Sequence, residues 1–305
     1  MNILVTGSHG LIGTALVPLL TSKGHRVVRL VRSPTPAAPD QVVWDPAAGT
    51  LDPTRLEGMD AAIHLAGENI ASGRWTPARK ARIRASRVRA TRLLADAIAR
   101  LTRRPRVLLS ASAVGYYGDR GDELLVEESA PGTGFLAEVC RDWEAATEPA
   151  RRAGVRVAYL RSGVVLSDAG GALARLLPVF RAGLGGRLGS GRQYMSWIAL
   201  DDEIESICFA LDQDSLDGPV NLVSPHPVTN QEFTVALGRA LRRPTPFAVP
   251  SGALRLVLGE LADELLGSVR AQPARLLASA YAFRYPALDG ALRHLLEARP
   301  HPPTR

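Results

Sequence analysis

The stretch Thr6-Gly7-Ser8-His9-Gly10-Leu11-Ile12-Gly13 follows an apolar strand pattern and opens a helical one. Gly7 permits a tight turn, Gly10 lets the backbone approach a bound phosphate without a Cβ in the way, and Gly13 lets the helix pack closely on the strand. The free amide groups at the start of the helix then face the anion. The alternative is a turn with a structural role only. Between a strand and a helix, the stretch predicts a site for the pyrophosphate of a dinucleotide.

Short apolar strands alternate with longer helical patterns through the first two thirds of the chain, which is typical of βαβ units on a parallel sheet. The first helix is predicted from about Gly10 to Lys23, with Gly24 just past its end and Pro18 as a local bend. The strands are predicted at about 2–6, 26–31, 42–44, 61–65, 106–110, 155–160 and 220–222.

The end of the second predicted strand indicates which dinucleotide is bound. In an NAD site an Asp or Glu about 20 residues beyond the glycines accepts a hydrogen bond from the ribose 2′-hydroxyl. The sequence here is Val27-Val28-Arg29-Leu30-Val31-Arg32-Ser33, without an acid. Arg32 can direct two N–H groups at a 2′-phosphate and Ser33 can donate another hydrogen bond. The alternative is a surface arginine near a loop. We predict that the cofactor is NADP, bound by Arg32 and Ser33.

The strand and helix alternation ends near Leu166, where glycine becomes dense, and the pattern is mainly helical after Pro225. We predict an α/β fold, with a doubly wound parallel (Rossmann) sheet and a smaller, mainly helical C-terminal cap. Residues 1–166 with about 197–224 are predicted to form the NADP-binding Rossmann domain. Residues 167–196 with 225–298 are predicted to form the substrate cap, followed by a frayed tail at 299–305.

The 305 residues carry 37 Lys plus Arg against 30 Asp plus Glu, a formal net charge of +7 that could indicate a nucleic-acid partner. The densest basic segment places Arg82, Arg89 and Arg92 among apolar residues such as Ile83 and Leu94, which is typical of a helix with one solvated face. We therefore expect a small-molecule substrate and no nucleic-acid partner. The sequence leaves the oligomeric state open, a homodimer included.

Targeting features are sparse. No stretch approaches the ~18 apolar residues of a membrane span, so we expect a soluble protein without a membrane partner. The amino terminus resembles a strand, not a signal peptide. Cys140 and Cys208 are the only cysteines, which excludes a disulfide framework or a cysteine-based zinc site. We expect a cytoplasmic protein and no metal site.

These motifs resemble the short-chain dehydrogenase/reductase superfamily, in its extended or atypical branch, whose glycine spacing is Thr-Gly-x-x-Gly-x-x-Gly. The chain is similar there to the NAD(P)-dependent epimerase-like proteins, a family of uncharacterised function with its own small C-terminal domain of unknown function. The similarity covers nearly the whole chain. Its further motifs are His64-Leu65-Ala66-Gly67-Glu68-Asn69, Arg74-Trp75-Thr76, Ser86-Arg87, Ser110-Ala111-Ser112-Ala113-Val114-Gly115-Tyr116-Tyr117-Gly118, Phe135-Leu136-Ala137-Glu138, Trp143-Glu144, Leu160-Arg161-Ser162-Gly163-Val164-Val165-Leu166, Ser196-Trp197-Ile198 and Val228-Thr229-Asn230-Gln231-Glu232-Phe233.

The resemblance implies further cofactor contacts. Leu65, Ala66 and Gly67 match the segment whose backbone lies along the adenosine and the pyrophosphate. Arg87 falls where extended enzymes place an Asn, and an arginine there is implied to reach the cofactor. Val164, beyond the sixth strand, is implied to border the nicotinamide.

The chain departs from the superfamily at its catalytic pair. The superfamily uses Tyr-x-x-x-Lys, in which Tyr is the general acid/base and Lys both lowers its pKa and holds the nicotinamide ribose. Aligned through Glu144, the Tyr position is Leu136 and the Lys position is Cys140. Ser112 is retained at the position of the active-site Ser or Thr and is predicted to be catalytic.

Tyr116 is the nearest substitute for the missing proton donor, and Arg120, four residues on, could favour its tyrosinate form. The alternative is that Tyr116 only packs or lines the substrate cleft. Cys140 is interpreted as a small core residue and not as a nucleophile, because no His lies near it in sequence.

A second departure lies near residue 199. Ala199 stands where the family usually has a His, so a polar contact on the substrate side would be missing, while Trp197 would offer a flat apolar wall. Asp201 and Asp202 are interpreted as N-cap residues of the next helix.

Two functions remain open. The first is an NADP(H)-binding oxidoreductase or epimerase-like enzyme, in which Ser112 and Tyr116 polarise a carbonyl or hydroxyl over the nicotinamide. The second is a non-catalytic NADP-binding protein with a redox-sensing or regulatory role. The missing Tyr and Lys favour the second function, and the retained Ser112 and full cap favour the first.

Overall fold

The computed structural model describes residues 1–33 and 40–297, so the predicted tail at 299–305 lies outside the described residues. The strands are β1 (Asn2–Thr6), β2 (Arg26–Val31), β3 (Gln41–Asp45), β4 (Thr50–Leu51), β5 (Ala61–His64), β6 (Val107–Ala113), β7 (Leu124–Leu125), β8 (Arg156–Ser162), β9 (Val164–Leu166), β10 (Gly186–Leu188), β11 (Tyr194–Met195), β12 (Trp197–Ala199), β13 (Gly218–Leu222), β14 (Val228–Thr229), β15 (Phe247–Val249) and β16 (Arg270–Ala271). The helices are α1 (Leu11–Ser22), α2 (Pro77–Ala99), α3 (Phe135–Ala145), α4 (Glu148–Arg152), α5 (Gly171–Arg181), α6 (Leu200–Asp212), α7 (Asn230–Leu241), α8 (Ser251–Leu258), α9 (Leu261–Leu266), α10 (Ala274–Ala278) and α11 (Leu288–Glu297).

The main sheet has eight strands in the order β13-β8-β6-β5-β1-β2-β3-β4. Only the short β3–β4 pairing is antiparallel, and the other pairings are parallel. The chain winds outward from β1 to β3 and then returns to β5 on the other side of β1. Ligands of such sheets bind at the carboxyl ends of the strands where the winding direction changes. All seven predicted strands belong to this sheet, which confirms the doubly wound α/β prediction.

Helices cover both faces of the sheet. On one face α1 and α6 pack on the strands, and the buried cluster there includes Ile3, Leu16, Leu20, Ile63, Leu109, Leu160 and Ile207. On the other face α2 and α4 pack, and the cluster includes Leu4, Leu30, Leu94, Ile98, Leu108 and Val157. The strands alternate between these two clusters and are buried on both faces, which explains why they read as near-continuous apolar runs.

The basic segment forms α2, which is 23 residues long. Thr76 caps it by accepting a hydrogen bond from the Arg79 amide (3.2 Å). Ile83 and Leu94 are fully buried whereas Arg82 and Arg92 are exposed, so the predicted one-sided solvated face is confirmed. Neither α2 nor any other helix within residues 1–33 and 40–297 is long and apolar enough to cross a membrane.

The part of the chain after the sheet is mainly helical, as predicted. A third buried cluster joins Leu166 and Trp197 to Phe180 of α5, Phe233 of α7 and Leu292 of α11. The predicted cap therefore shares a core with residues at the edge of the predicted Rossmann domain, and the domain boundaries stay a prediction.

Candidate cofactor and active site

Two glycines of the opening stretch are required by the fold itself. Gly7 has φ +69°, and a Cβ there would lie 2.7 Å from the carbonyl carbon of Leu65. A Cβ on Gly13 would lie 2.7 Å from the Cα of Ser8. Glycine is needed at both positions because the turn lies too close to the segment after β5 and to α1 for a side chain to fit.

Gly10 differs from the other two. It is the N-cap of α1 with an ordinary φ of −79°, and a Cβ there would meet only the Gly7 carbonyl oxygen, at 3.3 Å. The space in front of it is open, and the free amides at the start of α1 face that space. The buried hydroxyl of Ser8 has no hydrogen-bond partner among the described residues. We call the turn from Gly7 to Gly13 the glycine cradle. It fits a phosphate group that would accept hydrogen bonds from the amides at the start of α1 and from the Ser8 hydroxyl.

A buried contact ties the end of β5 to the cradle. Thr6 Oγ1 accepts hydrogen bonds from the amides of Leu65 and Ala66 (both 3.2 Å) and lies 2.8 Å from His64 Nδ1. Burial lowers the pKa of His64 to about 4, so the imidazole is neutral. Because Thr6 Oγ1 already accepts two amide hydrogen bonds, its own proton is the one directed at His64 Nδ1. The predicted contact segment 65–67 is thereby held beside the glycine turn. Sequence reasoning gave His64 no role.

Arg87 lies against the same segment. A Cβ on Gly67 would lie 3.3 Å from the Arg87 Cζ, the guanidinium sits over the Trp143 ring at 5.0 Å, and Nη1 donates to the Ile83 carbonyl (3.2 Å). The prediction that Arg87 reaches the cofactor stays a prediction. The geometry places its guanidinium at the edge of the predicted cofactor segment.

Arg32 and Ser33 are exposed at the end of β2. Arg32 makes no hydrogen bond or ion pair with any other described residue. Its side chain is therefore available for an anionic group, as the predicted contact with a 2′-phosphate requires.

The predicted catalytic Ser112 lies at the centre of a buried ionic network. Its Oγ donates to Glu144 Oε1 (2.7 Å), and Glu144 accepts two hydrogen bonds from Arg161, from Nε and Nη2 (both 2.9 Å). Burial alone would lower the pKa of Arg161, but the hydrogen bonds and charge of Glu144 raise it above its usual value. Since the Ser112 proton is directed at Glu144, the Ser112 hydroxyl offers only lone pairs to any further partner. The predicted polarisation of a carbonyl by Ser112 would need this bond to break.

Sequence reasoning missed the role of Arg161 in this network, although a signal was present. An arginine inside the largely apolar strand β8, unlike Arg156 at its start, needs a buried carboxylate partner. Glu144, a buried residue of α3, is that partner.

The cation beside Tyr116 is Arg161 and not Arg120, which corrects the prediction. Arg161 Cζ lies 3.5 Å from the Tyr116 ring centroid, whereas Arg120 pairs with Glu123 (2.6 Å) and donates to the Ala130 carbonyl. Tyr116 is half-buried. Its neighbour Tyr117 is fully buried and donates to Asn221 (2.7 Å), and burial raises the pKa of Tyr117 to about 12. Of these two phenols only Tyr116 is accessible for proton transfer.

The two positions of the missing catalytic pair are apolar in character. The Leu136 side chain packs against Gly115, where an added Cβ would lie 3.3 Å from it. Cys140 is 3% exposed, and burial, followed by the charge of Glu144, raises the pKa of its thiol to about 12. Cys140 is a neutral buried side chain, as predicted, and no thiolate nucleophile forms there.

The segment near residue 199 differs from expectation. Trp197 is fully buried and its Nε1 donates to the His226 carbonyl (3.0 Å), so it is a core residue and not an exposed wall. Ala199 is also fully buried and is itself the N-cap of α6. Val164, predicted to border the nicotinamide, is half-buried and pairs with Trp197 across β9 and β12.

Asp201 and Asp202 are not N-cap residues but lie in the first turn of α6, which corrects the prediction. Asp202 accepts hydrogen bonds from the amides of Arg284 and Tyr285 (2.7 and 2.8 Å). Asp201 lies 3.3 Å from His294 Nε2. The two carboxylates connect the start of α6 to the C-terminal helices.

Glu203, in the same turn, is fully buried and was not predicted. Its Oε1 accepts a hydrogen bond from Ser162 (2.6 Å), while its Oε2 has no partner among the described residues. Burial raises the pKa of Glu203 from 4.5 to about 8. The folded protein therefore holds a proton on this carboxyl at neutral pH, which the unfolded chain would release.

This proton predicts a measurable pH dependence. Protonation of Glu203 contributes to the free energy of unfolding, and this contribution is fully present below a pH of about 4.5 and is lost as the pH rises through about 8. Between pH ~6 and ~8 the free energy of unfolding should fall by about 2 kcal/mol from this group. We expect Glu203→Gln to lack this loss when urea unfolding is measured at both pH values. The exposed Glu297→Gln is the control and should behave as wild type. Equal losses in wild type and Glu203→Gln would contradict the assignment.

Comparison with known proteins agrees with this architecture. The model of the NAD dependent epimerase/dehydratase family matches residues 3–222, and that of the Domain of unknown function (DUF1731) matches residues 249–295. The epimerase family protein Mb2239 of Mycobacterium bovis is 49% identical over 291 residues, covering 95% of this chain and 96% of that protein.

Two solved structures are similar over 97% of this chain. The human epimerase family protein SDR39U1 (isoform 2), crystallised with NADPH, has a TM-score of 0.88 and 35% identity, and 99% of that chain is covered. The nucleoside-diphosphate sugar epimerase of Corynebacterium glutamicum has a TM-score of 0.81 and 40% identity, and 58% of that chain is covered. With the glycine cradle at the end of β1, these matches confirm the resemblance read from the sequence. The chain belongs to the NAD dependent epimerase/dehydratase family, has its NAD(P)-binding fold, and carries the DUF1731 domain in its C-terminal part.

Proposed function

We propose that this protein is an NADP(H)-binding oxidoreductase or epimerase-like enzyme that acts on a small molecule. The observation that carries the proposal is the open cradle at Gly10, where a Cβ would meet only the Gly7 carbonyl oxygen, at 3.3 Å, in front of the α1 amides. The unpartnered Ser8 hydroxyl beside it supports the same use. The NADPH found with the human relative supports this choice of cofactor.

The preference for NADP over NAD rests on the end of β2. Arg32 and Ser33 are exposed there and Arg32 has no described partner, while no acidic residue is present to accept a hydrogen bond from a 2′-hydroxyl. A guanidinium directs two parallel N–H groups at the charged oxygens of a phosphate, and an unphosphorylated ribose offers no such charge-assisted contact.

Replacing Arg32 with Ala tests this preference. We expect NADPH binding to weaken by roughly 1–3 kcal/mol, the range for a charge-assisted hydrogen bond, and NADH binding to change little. Isothermal titration calorimetry with both cofactors measures the difference. The exposed Arg89, which has no described partner, provides the control Arg89→Ala. Equal affinity of the wild type for NADPH and NADH would refute the preference.

In an active enzyme the bound cofactor would supply or accept a hydride, and this chain would orient the reactants. Tyr116 is the accessible phenol at the site and is the residue proposed to move the proton. Ser112, whose own proton is directed at Glu144, would accept a hydrogen bond from a substrate hydroxyl.

A non-catalytic NADP-binding protein is the second candidate, because Leu136 and Cys140 replace the usual acid/base pair and both are apolar in character. General acid/base catalysis typically contributes 10² to 10⁴-fold, so we expect turnover to be slow or absent in ordinary dehydrogenase assays. Transfer of deuteride from labelled NADPH to a metabolite extract separates the two candidates.

Any transfer found should decrease in Tyr116→Phe and in Ser112→Ala and persist in Cys140→Ala. Robust transfer that survives both of the first two substitutions would place the chemistry elsewhere. Binding of NADPH without any transfer would favour the second candidate.

A further inference from the structure

Glu203 is a buried carboxyl close to the carboxyl edge of the main sheet. It is fully buried in the first turn of α6 and makes no ion pair with any described residue. Its Oε1 lies 2.6 Å from the Oγ of Ser162, and its Oε2 has no hydrogen-bond partner within the described part of the chain. The Ser162 hydroxyl is therefore the route by which a proton can leave or reach this carboxyl.

Ser162 carries the contact to the edge of the sheet. It is the last residue of β8 and is half-buried, and the parallel register places it opposite Ala113, the residue after Ser112. Val164, predicted to border the nicotinamide, lies two residues further on. Ser162 thus connects a fully buried carboxyl with the edge at which ligands of such sheets bind.

The direction of the hydrogen bond depends on the protonation state of Glu203. A proton on Oε2 would be a buried donor without an acceptor, whereas a proton on Oε1 points at the Ser162 oxygen. The Ser162 hydroxyl is then free to donate to an oxygen at the edge of the sheet. In the carboxylate form Glu203 accepts the hydroxyl proton instead, and Ser162 can accept a hydrogen bond from outside.

No cation among the described residues pairs with Glu203. The charged or titratable side chains on the elements packed around it are bound to other groups, and they are Asp202 and Glu205 on α6, Lys23 after α1, Arg156 and Arg161 on β8 and Tyr281 of the C-terminal part. Burial raises the pKa of Glu203 to about 8, and the hydrogen bond from Ser162 opposes this effect. Both protonation states are therefore accessible near neutral pH, and a charge at the edge of the sheet can select between them.

We propose that Glu203 and Ser162 form a proton relay, which gives a proton to a substrate carbonyl oxygen when NADPH is bound and takes one from a substrate hydroxyl when NADP⁺ is bound. In the reduction, the hydride of the cofactor forms the new C–H bond and the carbonyl π pair moves to the oxygen. The oxygen takes the Ser162 proton, and Ser162 takes the proton of Glu203. The carboxylate regains a proton through Ser162 when the product leaves and water enters.

The relay rests on the proposed function, because it requires a bound dinucleotide, and it is a second proton route beside Tyr116. Side chains alternate along β8, so Ser162 and Glu203 lie on the opposite face of the sheet from Arg161, whose guanidinium contacts the Tyr116 ring. The two routes can therefore be separated by substitution.

The charge of the nicotinamide ring tests the relay without an assay of turnover. The ring is positively charged in NADP⁺ and neutral in NADPH, so NADP⁺ should favour the Glu203 carboxylate and expel its proton. At pH ~8, where about half of these carboxyls are protonated, we expect NADP⁺ to release roughly 0.3–0.5 more protons per site than NADPH. Calorimetry in buffers of different ionisation heat counts these protons, and any from the 2′-phosphate that both cofactors share cancel in the difference.

Glu203→Gln, which cannot ionise, should abolish the difference between the two cofactors, and the exposed Glu297→Gln should retain it. Ser162→Ala removes the hydrogen bond that favours the carboxylate, so the difference should remain but reach its maximum at a higher pH. An unchanged pH profile in Ser162→Ala would show that the hydroxyl does not serve this carboxyl and would contradict the relay.

A difference that persists in Glu203→Gln would refute the relay, and its loss in Tyr116→Phe would assign the proton to that phenol. Equal proton release by both cofactors in the wild type would also overturn the relay, while leaving the proposed function intact. A wild-type protein that binds neither cofactor would refute the proposed function itself.

Discussion

Gly10→Val is expected to abolish cofactor binding while the protein remains folded. The valine side chain would occupy the open space in front of the α1 amides, where the pyrophosphate has to lie. The backbone at Gly10 has φ −79°, which any residue adopts, and the added Cβ would lie 3.3 Å from the Gly7 carbonyl oxygen. We therefore expect a folding cost of about 1 kcal/mol from a weaker N-cap, with a small shift of the Gly7 carbonyl. We expect a loss of at least roughly 4 kcal/mol of NADPH binding, about a thousandfold, by calorimetry.

The neighbouring glycines provide the contrast. Gly13→Ala should destabilise the fold itself, because its Cβ would lie 2.7 Å from the Ser8 Cα. Gly252→Ala, on α8 with nothing within 4 Å of the added Cβ, should leave NADPH binding unchanged and should not destabilise the protein, since alanine favours a helix by up to about 1 kcal/mol over glycine. Unchanged NADPH affinity in folded Gly10→Val would show that the cradle is misplaced.

Glu144→Ala is expected to give the largest loss of stability among the substitutions considered. It leaves the Arg161 guanidinium, whose side chain is 4% exposed, without a carboxylate in the protein interior. Removing one partner of a buried ion pair typically costs about 3–5 kcal/mol, because the remaining charge is uncompensated. Chemical denaturation of wild type and variant at one pH measures the difference in the free energy of unfolding.

A matched pair of variants separates charge from packing. Glu144→Met combined with Arg161→Met replaces the buried ions with apolar side chains of similar length, and we expect it to recover most of the stability. Glu148→Ala breaks the exposed pair of Arg152 and Glu148 (2.8 Å) and should cost less than about 1 kcal/mol. If Glu144→Ala lowered the free energy of unfolding no more than Glu148→Ala does, the network of Ser112, Glu144 and Arg161 would not stabilise the fold as proposed.

This network also constrains the active site. It connects β6, α3 and β8 through Ser112, Glu144 and Arg161, and Arg161 supports the ring of Tyr116. The same contacts that stabilise the fold therefore fix the orientation of the two residues proposed for catalysis. A substitution that weakens the network is expected to impair both.

The sequence by itself determined the sheet and the cradle. Each of the seven predicted strands lies in the main sheet, and Gly7, Gly10 and Gly13 lie where β1 passes into α1. These features depend on residues close together in the chain: apolar runs that form buried strands, and a short turn in which only glycine fits. Local patterns of this kind can be read without knowledge of the rest of the molecule.

Only the tertiary structure decided which side chains meet at the site. Arg120 is near Tyr116 in sequence, yet the cation against its ring is Arg161, because the parallel pairing of β6 with β8 places Ser112 opposite Arg161. Trp197, predicted to line a cleft, is covered by helices from the C-terminal part. Such contacts join residues far apart in the chain and follow from strand register and helix packing, which the sequence of any one segment does not contain.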